Sequence, residues 1–227
     1  MGDIVEFPSN GTNGRGHFAP AAEGPETRPG IVVIQEWWGL VPHIRDVCER
    51  FAAEGFNALA PDLYRGETTT EPDEAGKAMM ALNLDQAGRD MSGAVDFLRD
   101  KGNGRVGVVG FCMGGGLALV LATQRPDAVS AVAPFYGLIP WKDAQPDYSK
   151  LRAAVQGHYA AEDGWANPDA VRSLETTLRD SGVEVEMFIY PGADHAFFND
   201  SRPEVYDPAA AELAWSRTIE FFRARLG

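Results

Sequence analysis

Cysteine is almost missing from this chain: Cys48 and Cys112 are the only two in 227 residues. Two thiols build no disulfide framework, and no Cys/His spacing suits zinc. The expectation is therefore reduced thiols in a cytoplasmic setting. Positive charge is also short, with 20 Lys and Arg against 33 Asp and Glu, a net charge of −13. That balance excludes nucleic acid or an anionic membrane surface as the main partner. No apolar run is long enough to span a membrane. Met1-Gly2-Asp3-Ile4-Val5-Glu6 has neither the basic end nor the apolar run of a signal peptide, and Glu6 stands where a myristoylation signal wants Ser or Thr. Repeats and domain-sized linkers are absent, so one domain over residues 1–227 is expected. What remains is an acidic globular chain, 44% hydrophobic, with ample material for a core.

The pattern along the chain alternates strands with helices. Ile4 to Phe7 and Gly16 to Ala21 read as edge strands separated by Ser9 to Gly14. Ile31-Val32-Val33-Ile34 is a β-branched run of the kind buried on both faces of a parallel sheet. Further strands are expected at 56–60, 105–109, 129–133 (ended by Pro134), 153–157 and 184–190. Helices are expected at 43–54, 85–100, from 115, from Asn167 or Asp169 to 180, and from Pro208 to 225. A short helical stretch falls within the polar insertion 68–84, and 137–150 reads as a surface loop. This spacing implies an α/β fold: a mostly parallel sheet with helices on both faces and an antiparallel N-terminal edge. Ligands of such sheets sit beyond the carboxyl ends of the strands, so functional residues should follow strands.

One pentapeptide carries most of the chemistry. Gly110-Phe111-Cys112-Met113-Gly114 is the G-x-nucleophile-x-G pattern of a nucleophile elbow, with cysteine in place of serine. A strand turning directly into a helix strains the middle residue and exposes its side chain at the positive end of that helix. Asp163 and His195 each follow a later strand, and nucleophile, acid, histidine is the chain order of the α/β-hydrolase fold. The imidazole would hold or take the thiol proton, and the carboxylate would fix its tautomer. Glu162 competes with Asp163 for the acid's place. The oxyanion-hole amides of this arrangement would be those of Trp37 and Met113. Glycines 107, 110 and 114–116 do not make a nucleotide loop, because these five do not fall in G-x-G-x-x-G order.

Four stretches together resemble the dienelactone hydrolase family: Ile34-Gln35-Glu36-Trp37-Trp38-Gly39-Leu40, Ala60-Pro61-Asp62-Leu63-Tyr64, Gly110 to Gly115, and His195-Ala196-Phe197. The resemblance runs from about residue 15 to the end. It implies an α/β-hydrolase fold, a Cys112–His195–Asp163 triad and cleavage of lactones or other esters without a cofactor. It also implies that Glu36 helps form the thiolate when substrate binds. In the family, arginines surround a substrate carboxylate. Here Arg65 follows Tyr64 one position early, Asn199 occupies the second arginine's place, and Arg202 comes three positions later. Asparagine cannot replace a guanidinium in bidentate carboxylate recognition, so a less charged ester or lactone fits these residues.

Substrate-pocket candidates are Tyr136 (a pocket hydroxyl), Trp38, Arg65, Phe197 and Asn199. Of Trp37, Trp38, Phe135, Tyr136, Phe197 and Phe198, about half are expected to line an apolar pocket and the rest to pack in the core. His158 reads as structural at a strand end, and Cys48 as packed against the sheet. The expected partner is a small ester or lactone met by a monomer or homodimer. A thiol redox sensor, a catalytically weak binding protein and promiscuous attack on phosphate esters are the alternatives.

Overall fold

A computed structural model describes residues 2–227, and of Asp143 the backbone alone; Met1, read above as part of the N-terminal stretch, lies outside the described residues. Eight strands form one sheet in the order β1-β2-β4-β3-β5-β6-β7-β8. The chain falls into two compact units, Met1–Val108 and Val109–Gly227.

In the first unit, β1 (Asp3–Ser9) and β2 (Thr12–Ala19) form an antiparallel hairpin. The expected separator over 9–14 shrinks to Asn10-Gly11, both with positive φ, while Thr12 to Gly14 continue the ladder. Asn-Gly is the pair that suits a two-residue turn between twisted strands, and this explains the shortening. β2 pairs antiparallel with β4 (Asn57–Pro61), and β4 parallel with β3 (Gly30–Ile34). Every residue of β3 is buried, as its β-branched run implied, and so is every residue of β4. Helix α1 (Pro42–Ala53) turns Ile44, Val47, Cys48 and Phe51 inward, the i, i+3, i+4, i+7 stripe of an amphipathic helix. Burial pushes the Cys48 thiol well up, so it packs rather than reacts. Two more helices follow, α2 (Pro72–Met80) and α3 (Leu84–Lys101), the latter capped by Asn83. From α3 the buried Asp90 accepts hydrogen bonds from Ser9 Oγ (2.5 Å), Gln86 Nε2 (2.9 Å) and Arg65 Nη2 (3.2 Å), tying hairpin, helix and the loop after β4 together.

β5 (Val106–Phe111) leads into the second unit, where α4 (Met113–Gln124) starts two residues after it. There β6 (Val129–Phe135), β7 (Ala154–Ala160) and β8 (Val185–Tyr190) pair in parallel. Several boundaries shift by a residue or more from expectation, and two of the shifts have a consequence. Pro134 does not end β6: the ladder passes from Val132↔Val155 to Phe135↔His158, leaving Ala133 and Pro134 unpaired and resuming beyond them. β7 runs three residues past 157, which puts His158 inside the strand rather than at its end. Asn167 caps α5 (Pro168–Asp180) and Asp207 caps α6 (Pro208–Leu226), each with Pro at the first turn.

His158 is wholly buried and fastens three elements. Its Nδ1 lies 2.8 Å from Tyr190 Oη on β8, and its Nε2 lies 3.0 Å from Thr218 Oγ1 on α6. Burial, aided by the Arg217 charge, drives its pKa down from 6.5 to about 3. Between those two values the unfolded chain binds a proton that the folded chain refuses. Stability therefore falls as pH drops below 6.5 toward about 3 and is fully recovered above 6.5. Melting curves of wild type and His158→Gln should diverge in this way: the wild type loses the more stability on acidification, and parallel acid limbs would contradict it.

Candidate active site

The strand-to-helix turn holds Cys112 at φ 53° and ψ −120°, a conformation that L-residues rarely adopt. Its backbone is pinned on both sides: the Cys112 N–H donates to Phe135 O at 3.0 Å, and Cys112 O accepts from Gly115 N at 2.9 Å. Two glycines permit the close approach. A Cβ on Gly110 would fall 2.0 Å from Gly114 O, and one on Gly137 would fall 2.1 Å from Cys112 O. Met113 opens α4, so the thiol stands at the positive end of a helix whose other side chains are nearly all buried. Within 109–227, the other non-glycine residues of positive φ are Tyr136 (35°), directly after β6, and Ala196 (67°), directly after His195. Backbone strain thus gathers where strands end beside reactive groups.

The same unit brings Asp163 and His195 together. His195 Nδ1–H donates to Asp163 Oδ2 at 2.7 Å, with the histidine side chain 29% exposed and the aspartate side chain fully enclosed. Asp163 Oδ1 accepts the backbone N–H groups of Trp165 (2.7 Å) and Ala166 (2.9 Å). Glu162, the neighbouring carboxylate, is exposed, and Asp163 is the one bonded to His195. The ring of His195 also hydrogen-bonds Cys112. Burial works to lower the His195 pKa, but the hydrogen bonds to Asp163 and Cys112, with the negative charge of both, hold it up at about 10. Burial likewise opposes the charge of Asp163. The hydrogen bond and charge of His195 and the two amides outweigh it and keep this carboxyl below its usual range.

The aromatic candidates lie deeper than expected. Trp38, Phe135, Tyr136, Phe197 and Phe198 are all buried, and Trp37 alone of the six is half-exposed. Phe197 is wholly buried against Tyr136 (5.5 Å) and Tyr190 (5.0 Å), so it is a core residue and not a pocket wall. Tyr136 is fully buried, its ring edge-on to His195 at 5.2 Å. Asn199 is also inside, its Oδ1 accepting from Ser201 N and Oγ as a turn brace. Arg65 gives its guanidinium to Asp90, and Arg202 pairs with Glu204 at 2.8 Å. Glu36 is buried just beyond β3. Sequence reading gave His158 no part near the site; its in-strand position, which would have drawn attention to it, was hidden by a strand read three residues short.

A model of the dienelactone hydrolase family matches residues 17–226. The chain belongs to the dienelactone hydrolase family. Protein usf of Aquifex pyrophilus is 38% identical over 235 residues, covering 100% of both chains. An Escherichia coli (strain K12) protein, provisionally named carboxymethylenebutenolidase, is 30% identical, with 97% of this chain and 86% of that one covered. Among solved structures, a provisionally named dienelactone hydrolase from Klebsiella pneumoniae subsp. pneumoniae is similar at TM-score 0.89, with 29% identity and 98% of each chain covered. A dienelactone hydrolase-like promiscuous phosphotriesterase from metagenomic libraries gives TM-score 0.87 at 23% identity over 100% and 99% of the two chains, a likeness of fold alone. The architecture is that of the α/β-hydrolases, and this dienelactone hydrolase family member is a hydrolase by family.

The ionic pair at its centre sets a pH window for stability. A histidine raised from 6.5 to about 10 stabilises the fold fully below 6.5 and loses that contribution as pH rises through about 10. A depressed aspartate acts in the opposite sense: its contribution is complete above its ordinary 3.8 and is lost as pH falls through its lower folded value. The melting-temperature difference between wild type and Asp163→Asn should therefore be large at neutral pH and shrink above pH about 10. A difference that stays constant to pH 11 or so would contradict the pairing.

Proposed function

We propose that this chain hydrolyses carboxylic esters or lactones through an acyl-thioester on Cys112. The observation that supports it best is the single run of bonds Cys112–His195–Asp163, set on a strained turn at a helix N-terminus. The sulfur would attack the carbonyl as a thiolate, its proton held on His195, and the Met113 amide would receive the developing oxyanion. His195 would give that proton to the departing alkoxide, leaving the acyl group on sulfur. It would then take a proton from water as the water attacks the thioester, and the thiol would be regenerated. Asp163 keeps the ring oriented and balances the imidazolium. Glu36 as an aid to thiolate formation enters this reading from the family likeness alone, and the Trp37 amide as second oxyanion donor from the usual arrangement of the fold. A thiol sensor or a pure binding protein would leave the Asp163–His195 bond without a task. We place the protein in the cytoplasm as a single domain acting without a cofactor, a monomer or homodimer.

The substrate on this reading is an ester or lactone without a carboxylate. Arg65 is committed to Asp90, Arg202 to Glu204, and Asn199 to Ser201. A substrate carboxylate would have to compete with the protein's own acids for each guanidinium. Phosphotriesters form a second class worth assaying, in view of the activity named for one structural neighbour.

Cys112→Ala should abolish turnover of a small activated ester while its melting temperature stays close to wild type. Retained hydrolysis would remove Cys112 from the mechanism. In a matched pair of lactones, one carrying a carboxylate, kcat/KM for the uncharged compound should equal or exceed that for the charged one. A tenfold or so preference for the acid, about 1.4 kcal/mol of transition-state binding, would overturn the substrate assignment.

A further inference from the structure

We propose that His158, through the Phe135–Gly137 segment it holds, is a positioning residue for Cys112 and His195. The proposal rests on the reading of Cys112 as nucleophile. Counting protons gives the ring one tautomer. Thr218 has a single hydroxyl proton and gives it to Ala214 O at 2.8 Å, so toward His158 Nε2, 3.0 Å away, it accepts. The ring proton is therefore on Nε2. Nδ1 is left with its lone pair and accepts from Tyr190 O–H at 2.8 Å. The Tyr190 oxygen in turn accepts from Arg217 Nη1 at 3.3 Å, and that guanidinium lies over the Phe188 ring, 3.8 Å from its centre. Every donor in the chain points the same way, from Arg217 through Tyr190, His158 and Thr218 to a helix carbonyl. Such a run locks a neutral imidazole in one orientation against β8 and α6.

What that locked residue touches is the support of the reactive pair. Its ring stacks on Phe135 at 4.5 Å, and its carbonyl accepts the Tyr136 N–H at 2.7 Å. Phe135 O is the acceptor for the Cys112 N–H, and Gly137 lies against Cys112 O. Tyr136, strained at φ 35°, sets its ring edge-on to His195. Both strained residues thus lean on one short segment, and that segment leans on His158. A strained backbone persists only where its surroundings over-determine it, and a displacement of about 1 Å in a reacting group costs up to about a hundredfold in rate. Being wholly buried, His158 cannot meet substrate itself. Its influence passes through geometry alone.

The test compares kcat and KM for a small activated ester, together with the rate of Cys112 alkylation by iodoacetamide, in folded variants. Tyr190→Phe and Thr218→Val each remove one partner of the ring while keeping its neighbours' volume. His158→Leu removes the ring's bonds together. Each should lower kcat and the alkylation rate by about tenfold or more, with KM unchanged. His158→Gln, whose amide can donate to Thr218 and accept from Tyr190, should recover much of the loss. If His158→Leu does not fold, the two partner variants decide. Wild-type kcat and alkylation in folded Tyr190→Phe and Thr218→Val would overturn the proposal. Cys112→Ala separates the two ideas: an inactive Cys112→Ala beside fully active partner variants sinks the His158 role alone, whereas an active Cys112→Ala sinks the nucleophile on which it rests.

Discussion

Everything at the candidate site depends on one backbone constraint: β5 and α4 are joined through Cys112 with no loop between them. A residue placed there must take φ 53° and ψ −120°. Such a conformation costs on the order of 1–3 kcal/mol for a non-glycine residue. It is held because the N–H of Cys112 is bound to Phe135 and its carbonyl to Gly115, and because glycine at 110 and 137 lets neighbouring backbone close in. The strain has a consequence for chemistry. It places the side chain at the N-terminal, positive end of α4.

That constraint explains why the electrostatics around His195 can be so one-sided. A carboxylate with its side chain fully enclosed is ordinarily unfavourable, yet Asp163 has two amides on one oxygen and the imidazole on the other. With three donors on its two oxygens, it can remain charged in a desolvated place and hold a proton on His195. The histidine is then pulled from two directions, by Asp163 and by Cys112. The pull from Cys112 exists only because the elbow presents the sulfur to the ring. Geometry and charge at this site are therefore not separate contributions.

Much of this was legible in the sequence for simple reasons. The β-branched run at Ile31–Ile34, the G-x-C-x-G-G elbow, the cap candidate Asn167 and the helix-opening Pro208 are local signals, and local signals survive folding. The chain order of Cys112, Asp163 and His195 needed only the rule that functional groups follow strands. What was not legible required knowing which way a side chain turns or which distant residue it meets. Glu162 and Asp163 differ by one position along the chain and by burial in the fold. Phe197 is wholly buried against Tyr136 and Tyr190, partners that lie far from it along the chain or carry no local signal. Pro134 looked like a strand end because its missing N–H was weighed without its register.

The partner of Arg65 is the most instructive of these. On the family pattern, an arginine near this point of the chain would serve a substrate's charge. Asp90, 25 residues onward and nearly buried on α3, takes it instead, and the same aspartate anchors Ser9 of the N-terminal hairpin. To free Arg65 for a ligand, the fold would have to leave a buried carboxylate without its cation, which costs more than an exposed ion pair contributes. The arginine is thus bound to the stability of its own unit. On the proposed reading, selectivity then has to come from the shape and polarity of an uncharged substrate, not from a charge the fold has already neutralised.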